Sequence, residues 1–319
     1  MNLKLILKTI HNAKTFLIST HTNPDPDALA SELALALFLK AKGKKVFVVN
    51  EEPVPSRFTF IPAVGLIHAH KDIKKVDYDA AVVLDCGEIE RVGSVLKLID
   101  RRKPLLNIDH HITNDKFGTL NFVKPAASSS AEVLFELLKA GKCKLTREIA
   151  VLLYLGIMTD TGSFRYENTS SYTHAIVSDL LKFKFSTSAL YQKLYESVPL
   201  SDLKYFTKVV SHFESLYGGQ VICVELPRRI VKKFSQDFDL RDKIFGFLRT
   251  IKNVEVIAIF TEDKAGKTRV NLRSQSRVNV ARLAHHFQGG GHSRASGCLV
   301  QANIKSAKRK FLNELEKVL

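Results

Sequence analysis

The chain has only four cysteines, Cys86, Cys143, Cys223 and Cys298, scattered without a CxxC pair. That spacing argues against a disulfide framework or a structural zinc site and fits reduced thiols of a cytosolic protein. No stretch reaches the roughly 18 apolar residues of a membrane span. Lys4, Lys8 and His11 interrupt Met1–Ala13, so this segment lacks the apolar run of a signal peptide, and the expected location is the cytoplasm. Gly/Ser-rich, Pro-rich and repeated tracts are also missing, which excludes a flexible linker, a disordered array and a solenoid.

What is present is the composition of a globular protein, with 45% hydrophobic and 25% charged residues among 319. That length accommodates two domains, each with its own core. The net charge of +16 is uneven: residues 1–190 carry +5, whereas residues 191–319 carry +11, from 23 Lys/Arg against 12 Asp/Glu. A basic C-terminal part concentrates anionic ligands, and phosphates among them. Taken alone, it reads equally well as a solvated face.

The first half alternates short apolar runs with helical patterns, as βαβ units of a parallel sheet do. Strands are expected at Thr15–Thr20, Lys45–Asn50, Ala80–Leu84 and Leu105–Ile108. Helices are expected at Ala28–Ala41, with an apolar face of Leu29, Leu33, Leu35, Leu37 and Leu39 and with Asp27 as N-cap, and at Ser130–Ala140 and Thr146–Met158. The polar stretch around Tyr191–Glu214 reads as a long helix. Beyond Gly218-Gly219 a smaller α/β pattern follows. It comprises a strand at Gln220–Glu225, a helix at Asp239–Ile251 and a hairpin of Val254–Thr261 with Lys267–Arg273 across the Asp263–Gly266 turn. A short helix at Val280–Phe287, a strand at Ala295–Val300 and a closing helix at Ile304–Leu319 complete it. The expected organisation is therefore a catalytic domain over 1–190, a helical connector over 191–214 and a second domain over 215–319.

Three of the expected strands run into metal-ligand residue types. The first leads to His21, Asp25 and Asp27, the third to Asp85, and the fourth to Asp109, His110 and His111; Asp160 follows an apolar helix. Carboxyl ends of parallel strands are where ligand sites form, so groups 60 to 80 positions apart can converge there. Crowded carboxylates raise one another's pKa unless a cation neutralises them. Oxygen and nitrogen donors without thiolate suit Mn²⁺, Fe²⁺ or Mg²⁺, and their number suits two ions, the arrangement used for in-line displacement at phosphorus. Each piece alone has a plainer reading, as a Pro-rich turn, a strand end or a surface His pair. Their joint order makes coincidence a poor account.

The ordered set His21-x-x-x-Asp25-x-Asp27, Asp85, Asp109-His110-His111 and Asp160 resembles the four signature motifs of DHH-family phosphoesterases. It looks most like the NrnA-type branch of oligoribonucleases and 3′-phosphoadenosine-5′-phosphate phosphatases. Gly289-Gly290-Gly291-His292 resembles the glycine-rich signature of the DHH-associated domain. The resemblance implies an N-terminal parallel-sheet domain joined by the connector to a smaller mixed α/β substrate-binding domain, with the active site in the cleft between them. It implies two divalent ions, Mn²⁺ foremost. His21, Asp25 and Asp85 would hold one ion, and Asp27, Asp85, His110 and Asp160 the other. His111 would face the phosphate, and Asp109 would orient the histidines. Pro26 departs from the family's usual Gly between the first two aspartates, and Arg294 from its small or polar stretch.

The resemblance makes Arg273, with its planar fork of donors, the anchor for a terminal phosphate. Ser274, Gly289, Gly290, Gly291, His292 and Arg294 accompany it, because side-chain-free backbone amides approach anions closely. The implied substrates are short RNA or DNA oligonucleotides or small nucleotides, and a homodimer is a further expectation. Rival readings are a phosphodiesterase of cyclic dinucleotides or their linear products, and a non-catalytic nucleotide-binding module. An inorganic pyrophosphatase of this type would carry Ser-Arg-Lys, a tripeptide missing here. A RecJ-like exonuclease would need further strand-binding modules.

Overall fold

The computed structural model describes residues 3–235, 238–263 and 266–319, with the backbone alone at His292. Two compact units divide it, Met1–Glu196 and Ser197–Leu319. The first unit is built on six strands: β1 (Thr15–Ser19), β2 (Lys45–Asn50), β3 (Ile67–Ala69), β4 (Ala80–Leu84), β5 (Leu105–Asp109) and β6 (Leu120–Val123). Its helices are α1 (Leu3–Asn12), α2 (Pro26–Ala41), α3 (Ser130–Ala140), α4 (Arg147–Asp160), α5 (Ser171–Leu181) and the short α6 (Thr187–Tyr191). All strand pairings are parallel, in the order β3-β2-β1-β4-β5-β6. Every residue of β4 and β5 is buried, as expected of strands covered on both faces. Phe16, Ile18, Val82 and Ile108 join the core formed with the α-helices. Leu17, Ala81 and Val83 face the other way, towards the 3₁₀ segment Ile89–Leu98. Strand order reverses direction between β1 and β4, and that reversal opens a crevice at their carboxyl ends.

Helix α2 differs from its sequence reading in two ways. Its N-cap is Asp25, not Asp27: the Asp25 carboxylate accepts the Ala28 N–H at 3.0 Å, and Pro26 takes the first helical position. Proline suits that position because its φ is already helical and its missing N–H would be unpaired anyway. The helix also buries more than one apolar face, with Asp27, Ser31 and Glu32 among its buried residues. Helices α3 and α4 enclose it, and a Cβ on Gly156 of α4 would lie 2.3 Å from Asp27 Oδ1 and 2.6 Å from Ala131 Cβ.

In the second unit, α7 (Leu200–Val210) precedes β7 (Glu214–Leu216), β8 (Val221–Leu226), α8 (Arg228–Val231) and α9 (Leu240–Leu248). There follow β9 (Val256–Glu262), β10 (Thr268–Ser274), α10 (Val280–His286), β11 (Gly290–His292), β12 (Ala295–Val300) and α11 (Ile304–Leu315). The mixed sheet runs β11-β12-β10-β9-β8-β7, with β8 and β9 parallel and the other pairings antiparallel. Helices α10 and α11 cover one face, and α7 and α9 the other. The stretch 191–214 is not one long helix. It holds a helical turn at Gln192–Glu196, a break at Pro199, then α7, whose Phe206 and Val210 are buried with α9 residues. Proline ends helices because it lacks the N–H and crowds the preceding residue. Of the Asp263–Gly266 turn, Lys264 and Ala265 lie outside the described residues. Among the described residues all four cysteines are free thiols, and no helix is long and apolar enough to cross a membrane.

Candidate metal centre

Strand β1 leads into Thr20, whose hydroxyl donates to the Leu84 carbonyl at 2.9 Å and ties the ends of β1 and β4 together. The next residue, His21, donates from Nδ1 to the Thr22 carbonyl at 2.8 Å, which turns Nε2 towards Asp85 Oδ2, 3.6 Å away. Asp25 and Asp27 occupy the cap and first turn of α2. Asp27 is fully buried: Oδ1 accepts from Ala131 N–H at 3.0 Å and the Ser31 hydroxyl at 3.3 Å, and Oδ2 from Ser130 N–H at 2.7 Å. Asp85 follows β4 with a left-handed φ of 53°, a costly conformation for a side-chain-bearing residue that clusters at functional sites. Its N–H donates to Ile108 O, and its Oδ1 accepts from the Ser130 hydroxyl at 2.9 Å. His110 Nε2 lies 3.6 Å from Asp85 Oδ1 and 3.1 Å from Asp160 Oδ2 at the end of α4.

These side chains fall into three overlapping groups: His21, Asp25 and Asp85; Asp27, His110 and Asp160; and Asp85, His110 and His111. Within each group the ligand atoms lie within 4.8 Å of one another. The electrostatics are those of a site short of positive charge. Asp25 keeps an exposed edge, yet desolvation of its carboxyl and the charges of Asp85 and Asp160 push it up to about 6. Burial and the same two neighbours raise Asp27 well above the usual range, and burial raises Asp160. Burial disfavours the His110 imidazolium, but the Asp160 hydrogen bond and the charges of Asp160, Asp85 and Asp27 lift it to about 10. Burial also opposes the Asp85 charge, but His21 and His110 hold its carboxyl below the ordinary range. Protons are thus serving where cations would, and oxygen and nitrogen donors without sulfur fit hard or borderline divalent ions. Adjacent Cys86 is no rival donor: burial pushes its thiol up to about 12, and Sγ donates to Glu88 O.

Comparison with known proteins agrees with this geometry. Residues 15–157 match the DHH family, N-terminal domain, and residues 228–319 the DHHA1 domain. The probable bifunctional oligoribonuclease and PAP phosphatase NrnA of Streptococcus mutans is 34% identical over 300 residues, covering 92% of either chain. The chain belongs to the DHH family. Its members are phosphoesterases, hence hydrolases. The Thermus thermophilus protein named bifunctional oligoribonuclease and PAP phosphatase NrnA is 31% identical over 95% of this chain and 89% of its own. An exopolyphosphatase-related protein from Bacteroides fragilis superposes with a TM-score of 0.93 at 26% identity, covering 99% of this chain and 96% of that one.

In this DHH-family chain the resemblance gave Asp109 as the support of the histidines, but neither its choice between them nor its own backing was visible in the sequence. His111 Nδ1 donates to Asp109 Oδ1 at 2.7 Å, whereas His110 Nδ1 faces the Ala127 carbonyl at 3.3 Å, so Asp109 orients one histidine rather than both. Asp109 Oδ2 accepts from the Asn114 amide at 2.6 Å, and that amide also contacts Asn107 Oδ1 at 2.8 Å. Burial opposes the Asp109 charge, but His111 and Asn114 hold its carboxyl below its ordinary value. Another buried acid, Glu32, accepts from Asn50 Nδ2 at 2.7 Å, while Glu32 Oε2 and Asn50 Oδ1 have no hydrogen-bond partner among the described residues. Burial pushes Glu32 up to about 8. A long-range partner of this kind leaves no periodic trace in a sequence.

The second unit of this DHH-family protein gathers its candidate residues at one end of the mixed sheet. Arg273 of β10 lies over the Phe245 ring at 4.8 Å, on the face covered by α9, and its guanidinium is 4.0 Å from Asp242. Ser274 donates its N–H to Arg294 O at 3.0 Å and its hydroxyl to Ser293 O at 3.3 Å. Two glycines of the triplet, Gly290 and Gly291, begin the edge strand β11, which pairs with β12. Close approach requires two of the triplet's glycines: a Cβ on Gly289 would sit 2.3 Å from Gly297 O, and one on Gly291 2.6 Å from Ala295 O. Gly290 faces open space, Arg294 is exposed, and the His292 side chain lies outside the described residues.

Proposed function

We propose that this chain hydrolyses phosphate esters of short oligoribonucleotides and of 3′-phosphoadenosine-5′-phosphate at the cluster centred on Asp85. The observation that carries this reading is the convergence of His21, Asp25, Asp27, Asp85, His110 and Asp160, from three strand ends and two helices, at the reversal in strand order. The names of the relatives support the substrate class. These six residues would hold two divalent ions, Mn²⁺ first among them, supplying a Lewis acid and a lowered pKa for water. Asp85 belongs to two of the three groups and is the candidate bridge.

The chain's own residues do the rest. Asp109 fixes His111 through Nδ1 and favours its imidazolium, so His111 carries a proton at Nε2 for a phosphate oxygen or the leaving oxygen. The seryl hydroxyl of Ser130 holds Asp85, and the first turn of α3 holds Asp27, which limits their motion during the reaction. Arg273, Ser274, Gly289–Gly291, His292 and Arg294 are the candidates for binding the substrate's other phosphate or backbone.

The test is Mn²⁺-loaded protein offered a 5′-phosphorylated dinucleotide, a long RNA, 3′-phosphoadenosine-5′-phosphate and a cyclic dinucleotide, with initial rates compared. The dinucleotide and 3′-phosphoadenosine-5′-phosphate should turn over fastest. Asp85→Asn should lose more than the ~10²-fold typical of a residue one shell out from the metal. Near wild-type turnover in that variant, or binding of every nucleotide without hydrolysis, would refute the reading.

A further inference from the structure

Glu255 precedes β9 in the second unit and is 5% exposed. Its Oε1 accepts from three backbone N–H groups, Arg277 at 2.7 Å, Val278 at 2.7 Å and Ser276 at 3.3 Å, and its Oε2 accepts the Ser276 hydroxyl at 2.7 Å. All four donors lie on the loop from β10 to α10. A buried carboxylate met by several N–H dipoles is a fastening, because each charge-assisted bond is worth more than a neutral one. Burial alone would raise its pKa, but the bonds from Val278, Ser276 and Arg277 hold it below the ordinary range. Gln275, first in the loop, is pinned as well, by its N–H to Glu255 O and its side chain to Arg249 O, both at 2.9 Å.

This loop continues directly from Arg273 and Ser274. It walls an open cavity of about 580 Å³ whose other walls include Gln220, Asn253 and Val254. The Arg277 guanidinium donates to Gln220 Oε1 across one side. Three carboxamides and a guanidinium around a cavity of this size offer hydrogen bonds to a nucleobase edge and charge to a phosphate. The segment after α9 that lines the cavity, and Phe245 of α9 beneath Arg273, join it to the arginine proposed above for the substrate's other phosphate.

We infer that Glu255 is a positioning residue for nucleotide binding: by fastening residues 275–278 it sets Arg273 and Arg277 and shapes a subsite for one nucleotide unit of the substrate. The inference rests on the proposed function. It is tested by titration calorimetry of metal-free protein with a 5′-phosphorylated dinucleotide, alongside thermal melts. Glu255→Ala should weaken binding about tenfold, the loss expected when one oriented phosphate contact is forfeited. Glu255→Gln keeps an oxygen for the three N–H groups and should stay within about threefold of wild type. Glu255→Asp keeps the charge but is a methylene too short, and it replaces the alanine variant if that one does not fold; its binding should weaken like that of alanine.

A purely structural role would lower the melting temperature and leave the dissociation constant unchanged. Unchanged affinity in folded Glu255→Ala or Glu255→Asp overturns the inference, as does a wild-type protein that does not bind the dinucleotide. A wild-type protein that binds the dinucleotide without cleaving it would instead refute the hydrolase reading and leave the Glu255 comparison standing.

Discussion

Replacing Glu32 by glutamine should stabilise the metal-free protein, and by more as the pH rises. The folded carboxyl keeps its proton up to about 8, whereas an ordinary glutamate releases it near 4.5. Across that window the unfolded chain binds fewer protons than the folded one, so stability falls with rising pH. At about 1.36 kcal/mol per pH unit, the interval sets an upper bound of about 5 kcal/mol, fully expressed above pH 8. A glutamine at this position does not titrate. Its carbonyl can accept from Asn50 Nδ2 as Glu32 Oε1 does, and its amide can donate to Asn50 Oδ1, which lacks a partner among the described residues. Urea unfolding in EDTA, at one pH below 4.5, one within the window and one above 8, measures the stability of variant minus wild type. That difference should climb by about 2 to 5 kcal/mol from the lowest pH to the highest. A flat difference, or a variant less stable than wild type above pH 8, would refute the reasoning.

Gly156→Ala would drive a methyl group into Asp27 and Ala131. Overpacking of about 1–3 kcal/mol should lower the melting temperature and weaken metal binding together, and wild-type values for both would contradict the close approach. Because Asp25 is raised to about 6 and His110 to about 10, metal loading should release protons, and affinity should strengthen as the pH rises between those values. Calorimetry in buffers of different ionisation enthalpy checks this, and pH-independent affinity would count against it. Asn114→Ala removes the donor behind Asp109 and should cost about 10- to 100-fold in kcat with little change in dinucleotide affinity. Unaltered kcat would show that the Asp109–His111 pair needs no such support.

Strands β1, β2, β4 and β5 were legible because each is an apolar run that stops at a polar turn, and the endings of β1, β4 and β5 announced the ligand residues. Strands β3 and β6, three and four residues long at the sheet edges, carry no such run. The cap of α2 was read two residues late because a proline between two aspartates obscures which one caps. The connector was read as continuous because its polarity hides the break at Pro199, while Phe206 and Val210 of α7 already belong to the second core. Of the site, the residues that end strands could be named in advance. Ser130, Asn107, Asn114, Glu32 and Glu255 could not, because each acts through a partner that only the folded chain brings near. Ser130 and Asp85, for instance, are 45 positions apart.

The bonds that fasten Asp27 leave it little to offer an ion. A carboxylate has about four lone-pair directions, and Ser31, Ala131 and Ser130 already occupy three of them. A single direction remains, on Oδ2, so Asp27 can grip an ion with one tooth only. Calcium takes six to eight oxygens and uses carboxylates with one tooth or two, so such a donor closes the two-toothed mode to it, whereas smaller octahedral ions lose nothing. With Asp27 as a ligand in the proposed site, the bonds that α2 and α3 make to its carboxylate would therefore act as a size filter, set by helix geometry before any ion arrives.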